Sequence, residues 1–269
     1  MSDAEDPEPS DDGFDDPTAF AARAPEPAGT GGRQTDASTE DGDDPPVFAV
    51  GVGPGNPEYL VPRARRAVRE ADVLVGFETV VDVVREHATG EVLECGYRDQ
   101  AETLATFADR VREGARGTAL LMGDPNHSGY QLVGRVERHV DRPVRVVPGI
   151  SSLQLAASRA RTPMEESTFV TLHRRGDLTE ARERLRRDVG DRHLLVLPRP
   201  FDLMPGDIAA DLLDAGAAPT LPALVLERLT HDDEAVTRST LGALAEHAGG
   251  EGREDTPFSD LSVLVVRRA

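Results

Sequence analysis

Three loops hold the residues whose types and spacing suit small-molecule chemistry: Gly51-Val52-Gly53-Pro54-Gly55, Met122-Gly123-Asp124-Pro125 and Pro148-Gly149-Ile150-Ser151-Ser152. Each closes a short apolar run and precedes a stretch that reads as helix. That layout puts three tight turns at strand ends, where α/β proteins build ligand sites. Small residues there let the backbone come close to a ligand. Asp124 has two readings: a turn-forming or helix-capping acid, or a carboxylate facing a cation or a ribose hydroxyl. His127 reads either as a lid side chain or as a solvated loop histidine. One of Ser151 and Ser152 is expected to cap the helix that follows.

Other chemistries are excluded by residue type. The first loop fails the dinucleotide pattern G-x-G-x-x-G, because Asn56 takes the sixth position and Pro54 stiffens the turn. The chain contains no lysine, so it has neither a Gly-Lys-Ser/Thr phosphate loop nor a Schiff-base lysine. No nucleophile elbow or H-E-x-x-H helix is present. The seven histidines show no metal-ligand spacing, and the single cysteine, Cys95, reads as a small buried thiol.

Charge is unevenly placed. The chain has 269 residues and a net charge of −19, and residues 1–46 hold fourteen acids against two arginines. An acidic balance makes nucleic acid an unexpected partner. Arginine in place of lysine beside so many carboxylates suits a high-salt host, where repulsion is screened within about 3 Å at 1 M. No basic-then-apolar segment opens the chain and no apolar run reaches membrane-spanning length, so a cytoplasmic protein without a membrane partner is expected.

The elements that must position the loops follow from apolar periodicity. Residues 1–46 have almost no bulky apolar side chains besides Phe14 and Phe20 and are expected to be a disordered acidic tail. From Val47 onward, apolar runs alternate with helical stretches as far as 161, a pause at 163–167 reads as a linker, and a second alternating set closes on the apolar run 261–267. The fold class expected is α/β: two domains, 47–163 and 164–269, with mainly parallel sheets and a ligand cleft between them.

With these loops in view, the chain resembles the tetrapyrrole methylase family, the S-adenosylmethionine-dependent enzymes of corrin and sirohaem synthesis. Val50-Gly51-Val52-Gly53-Pro54-Gly55-Asn56-Pro57 and the two later loops carry the likeness, in order and in spacing, across 47–269. Residues 148–157 followed by Thr171-Leu172-His173-Arg174 are most similar to cobalt-precorrin-7 C5-methyltransferases. The resemblance implies S-adenosylmethionine as methyl donor, held in a cleft between two domains, a tetrapyrrole acceptor and a homodimer. A separate decarboxylating C15-methyltransferase is a further implied partner.

Carried over by position, donor contacts fall on Pro54, Met122, Gly123, Asp124, His127, Ser151 and Ser152. Leu197 or Pro198 and the region of Leu229 and Thr230 complete them from the second domain. The acceptor is a ring bearing many carboxylates, so Arg174, Arg175, Arg199 and Arg228, which follow strand ends, are candidate partners for it. His173 is the candidate for a proton-handling role. Asn56, Met122 and the stretch Asn126-His127-Ser128 depart from the family pattern. Other readings stay open: a methylase of the same fold acting on another ring carbon or, as in diphthine synthases, on a protein side chain, or a non-catalytic metabolite-binding protein that keeps the cleft.

Overall fold

Five apolar runs, β1 (Val47–Gly51), β2 (Val73–Phe77), β3 (Glu91–Cys95), β4 (Gly117–Leu121) and β5 (Val144–Val147), pair in parallel in the order β3-β2-β4-β1-β5. The computed structural model describes residues 45–174, 176–200, 202–249 and 256–269. The acidic segment up to 44, expected to be disordered, and Arg175 lie outside the described residues.

Both faces of this sheet are covered, which is why its strands read as continuous apolar runs. Helices α1 (Pro62–Glu70) and α2 (Glu78–Val84) bring Ala64, Val68, Val81 and Val84 against Val50, Leu74 and Leu120. On the opposite face, α3 (Gln100–Arg112) and α4 (Tyr130–His139) bring Phe107, Val111, Val133 and Val136 against Ala49, Val75 and Ala119. Pro62 stands at the first position of α1, where its missing N–H costs nothing.

The second sheet contains β6 (Ser167–Thr171), β7 (His193–Leu197), β8 (Pro222–Glu227), β9 (Ala235–Thr240) and β10 (Ser262–Val266), in the order β6-β7-β10-β8-β9. Helix α5 (Ser152–Ala160) covers one face, where Leu153, Leu155 and Ala156 meet Leu195, Leu226 and Val263. Helices α6 (Thr179–Asp188), α7 (Pro205–Asp214) and α8 (Leu241–Ala245) cover the other.

The α/β class is as expected, but parallel pairing does not extend through this second sheet. Only β6 and β7 are parallel; β10 runs against both β7 and β8, and β9 runs against β8. The cause is connection length. Only residues 228–234 join β8 to β9, too few for the crossover that a parallel pair needs. Strand β9 itself was not foreseen. Its Thr237, Arg238, Ser239 and Thr240 give it little apolar signal, and it forms an edge with one exposed side.

Candidate functional site

Strands β1 and β4 are neighbours, yet α1 leaves β1 toward one face of the sheet and α4 leaves β4 toward the other. Their loops part above the strand ends. This is the switch point at which open parallel sheets take ligands.

The three loops meet there. Gly123 N donates to Gly53 O at 2.8 Å, Gly53 N donates to Gly123 O at 3.3 Å, and Val52 N donates to Leu121 O at 2.9 Å. Gly149 closes the group. A Cβ at Gly149 would overlap Gly123 O and lie 2.9 Å from Gly51 Cα, while one at Gly51 would lie 2.5 Å from Gly123 O. Backbone stands directly against backbone, which only glycine permits.

Asp124 holds two of the loops together. Its Oδ1 accepts from Asn126 N (2.8 Å) and Asn126 Nδ2 (2.9 Å), capping a single π-type turn, Pro125–Gly129. Its Oδ2 accepts from Gly149 N at 3.2 Å. Of its two sequence readings, the turn-forming one is seen in these contacts. Ser151 caps α5: its Oγ accepts from Leu153 N (3.2 Å), while Gln154 Oε1 accepts from Ser151 N (2.9 Å). Ser151 is buried with its hydroxyl held by the cap, and Ser152 opens the helix half-buried.

The second sheet reaches the same place. Asn56 Nδ2 donates to Thr230 O at 3.2 Å, and the His231 ring fills the space a side chain at Gly55 would need. The rings of His127 and Phe169, on β6, stand 6.3 Å apart. Leu197 and Leu229 share one apolar cluster with Tyr59 and Ile150 from the first and third loops. Pro54, Gly123, Asp124, His127, Ser151, Ser152, Leu197 and Leu229 are thus brought to one junction. The side chain of Met122, beside Gly123, is exposed.

Thr230 is the unusual residue. It is β-branched, yet its φ is +73°, and Arg228 two positions earlier has φ +46°. The Thr230 N–H donates to Glu234 Oε2 at 2.8 Å, and Glu234 takes a two-pronged contact from Arg159 of α5 at 2.7 and 3.3 Å. That guanidinium, more than any other neighbour, holds the Glu234 carboxyl below its ordinary range, with burial working against it. Thr230 Oγ1 is buried and has no hydrogen-bond partner among the described residues. Sequence reasoning missed Glu234 and Arg159, because contacts across 75 and 174 positions leave no spacing signal. Of this set, only Asn56, as a departure from the family pattern, and Thr230, as a candidate donor contact, were visible.

The remaining candidates are scattered. His127 has its pKa lowered by burial, with Asp124 opposing. His173 is exposed to solvent. It is not among the contacts that build the junction. Three of the candidate arginines have partners close by in sequence. Arg174 Nη2 donates to Asp177 O at 3.2 Å, Arg199 pairs with Asp202 at 2.5 Å, and Arg228 pairs with Asp233 at 2.6 Å in a different loop. Arg175 lies outside the described residues. Arg199 instead shares a recess with Arg182 and Arg186, two arginines of α6 that strand-end position did not single out. Cys95 is buried, as expected. Among the described residues no cluster of potential metal ligands occurs, and no helix is long and apolar enough to cross a membrane.

Fold and junction define a class: a two-sheet α/β protein whose strand-end loops meet a second sheet over a glycine-walled site. The model of the tetrapyrrole (corrin/porphyrin) methylases matches residues 46–245. The chain is 31% identical over 232 residues to siroheme synthase 1 of Halorhodospira halophila, covering 78% of this chain and 46% of that protein, so it spans about half that relative's length. It is 27% identical over 229 residues to a probable cobalt-precorrin-7 C(5)-methyltransferase of Methanocaldococcus jannaschii, covering 81% of this chain and 96% of that one. A solved structure of uroporphyrin-III C-methyl transferase from Thermus thermophilus, complexed with S-adenosyl homocysteine, matches with a TM-score of 0.63 at 26% identity, covering 83% of this chain and 92% of that one. The chain belongs to the tetrapyrrole methylase family, whose enzymes are methyltransferases with S-adenosylmethionine as methyl donor.

Proposed function

We propose that this chain methylates a ring carbon of a cobalt-precorrin, C5 of cobalt-precorrin-7, within cobalamin biosynthesis. The observation that carries the reading is the backbone contact of Gly51, Gly123 and Gly149 at the switch point, with the second sheet closing over it. The choice of acceptor rests on the match that runs through 96% of the precorrin-7 relative.

The residues fit the donor. Space stands open beside Gly123, whose nearest neighbour is Ser151 Cα at 3.8 Å, and the buried Thr230 hydroxyl has no partner among the described residues at the same junction. Bound there, S-adenosylmethionine supplies a methyl group already activated by its sulfonium. The chain's own part is placement. Backbone groups around Gly53, Gly123 and Gly149 bind the donor, Leu197, Leu229 and Ile150 keep water from it, and Asp124 adds negative charge near a cation. Fixing both reactants in one orientation accounts for about 7–11 kcal/mol in well-aligned systems. We place the donor between units 47–163 and 164–269, and a homodimer as the assembly.

A second reading, methylation of a uroporphyrin-type ring at another carbon, is favoured by the likeness to the Thermus thermophilus enzyme. Incubation with isotopically labelled donor and either cobalt-precorrin-7 or uroporphyrinogen III, followed by mass spectrometry, separates the two. Label at C5 of the precorrin is expected. Label on uroporphyrinogen alone moves the assignment to the second reading, and label on neither ring defeats both.

A further inference from the structure

Away from the three-loop junction, a recess of about 320 Å³ opens at the carboxyl ends of β6 and β7. Leu178, Thr179, Leu203 and the three arginines Arg182, Arg186 and Arg199 line it.

The donors in it are incompletely answered. Arg182 and Arg186 stand one helical turn apart on α6 and converge on one carboxylate, Asp211 of α7. Arg182 Nη2 lies 2.6 Å from Oδ1 and Arg186 Nε 3.2 Å from Oδ2, with a further Arg186 bond to Oδ1. Burial works to raise the Asp211 pKa, but the two guanidinia outweigh it and hold the carboxyl below its ordinary range. Arg199 enters from the end of β7. Its Nη2 pairs with the exposed Asp202, while its Nε is buried with no hydrogen-bond partner among the described residues. Asp177, the one carboxylate in the lining, is engaged by Thr179 N and Thr179 Oγ1 at 2.9 and 2.6 Å. Three guanidinia therefore face three carboxylates, Asp177, Asp202 and Asp211, and what is left over is the buried Arg199 Nε donor.

The wall beneath is apolar. Leu178 belongs to the core cluster under α6 and α7, and Leu203 packs against it. A short aliphatic stem ending in an anion meets both demands: the stem lies on the leucines and the anion takes the guanidinium N–H groups in bidentate fashion. Position agrees with this. Strands β6, β7 and β8 run the same way, so Arg199 and Thr230 emerge at one end of the sheet. Only β10 separates β7 from β8, a span of about 10 Å.

We propose that this recess receives a carboxyalkyl arm of the tetrapyrrole acceptor, with Arg199, Arg182 and Arg186 as its carboxylate partners. The assignment rests on the methyl-transfer reading above. It makes the recess a device for orienting the ring, separate from the donor junction.

The test uses full-length protein, uroporphyrin III and its fully methyl-esterified form as porphyrin probes followed by fluorescence, and calorimetry with S-adenosylhomocysteine. The acid form binds wild type and the ester does not. Arg199→Gln weakens porphyrin binding about tenfold or more, the loss of one charge-assisted contact, and leaves S-adenosylhomocysteine affinity unchanged. Arg182→Gln acts in the same direction, and Arg238→Gln on the exposed β9 edge has no effect. Unchanged porphyrin affinity in both Arg199→Gln and Arg182→Gln overturns the proposal, as does glutarate displacing no porphyrin while binding the recess on its own. Wild type that binds neither probe defeats the methyl-transfer reading instead, and the recess assignment falls with it.

Discussion

The side-chain amide of Asn56 donates to the main-chain carbonyl of Thr230 at 3.2 Å, joining the first loop of one sheet to the β8–β9 loop of the other. Thr230 is gripped on both sides, since Glu234 accepts its N–H at 2.8 Å and is itself fixed by Arg159 on α5. A β-branched residue at φ +73° stores strain of about 1–3 kcal/mol. These contacts supply the restraint that such a conformation needs to persist. The result is a buried threonine hydroxyl with no hydrogen-bond partner among the described residues.

Glu234→Ala is expected to destabilise the protein by about 1–3 kcal/mol, since it leaves the half-buried Thr230 N–H unanswered and takes the carboxylate from Arg159. Thr230→Gly removes the strain that Glu234 restrains. In that background the alanine change therefore costs less. A double-mutant cycle by denaturant unfolding reads the coupling directly. Strictly additive costs would show that Glu234 does not act through Thr230.

The glycines of the junction should differ in a set order. Gly149→Ala drives a Cβ into Gly123 O and against Gly51, and both obstacles are backbone that cannot rotate away. Gly123→Ala has room, its nearest neighbour being Ser151 Cα at 3.8 Å, and bears only the strain of φ +66°. The first is expected to cost more than the roughly 1–2 kcal/mol of left-handed strain expected for the second. Thermal unfolding of the two variants decides it, and equal costs would mean that the loops do not press together.

The first sheet was legible because each of its strands is covered on both faces, so apolar runs such as Val47 to Val50 stand out between helical stretches. The loops were legible for a related reason: glycine at 51 and 149 marks places where only backbone fits, and at 53 and 123 a left-handed turn. Strand β9 was not, because an edge strand with Thr237, Arg238 and Ser239 has one solvated face and little periodicity to detect. The arginines around the second sheet were legible only in part. Position after a strand end picked out Arg228, whose guanidinium turns to Asp233, while Arg182 and Arg186 look like solvated residues of a charged helix until α7 is laid beside them.

Two histidines make stability sensitive to mild acid. His127 and His193 both have pKa values lowered, in each case chiefly by burial. His193 Nδ1 also accepts the Arg268 N–H at 3.1 Å, a bond that requires this nitrogen unprotonated. The unfolded chain takes up protons near pH 6.5 and the folded one only at lower pH, so the contribution is whole above about 6.5 and is lost as pH falls below it. Carboxylates held low by guanidinia, Glu234 and Asp211 among them, extend the loss below about pH 4. Urea unfolding should give a lower stability at pH 5.5 than at 7.5, and His193→Gln should narrow the gap. A flat profile across that range would refute it.

Asp124 offers a way to separate charge from architecture. Both of its oxygens are engaged by Asn126 and Gly149, so Asp124→Ala loosens two loops as well as removing a charge. Asp124→Asn keeps one acceptor for Asn126 but sets an NH2 against Gly149 N, so it removes the charge and the Gly149 bond together, and the comparison of two ligands is what separates them. S-adenosylmethionine carries a sulfonium and S-adenosylhomocysteine a neutral sulfur, so a carboxylate that acts on the cation distinguishes them. Asparagine should weaken S-adenosylmethionine by about 1–3 kcal/mol and S-adenosylhomocysteine by distinctly less, both measured by calorimetry. Equal losses for the two ligands would mean that Asp124 serves the site only by holding Gly149 against Gly123, and that the sulfonium is met by backbone alone.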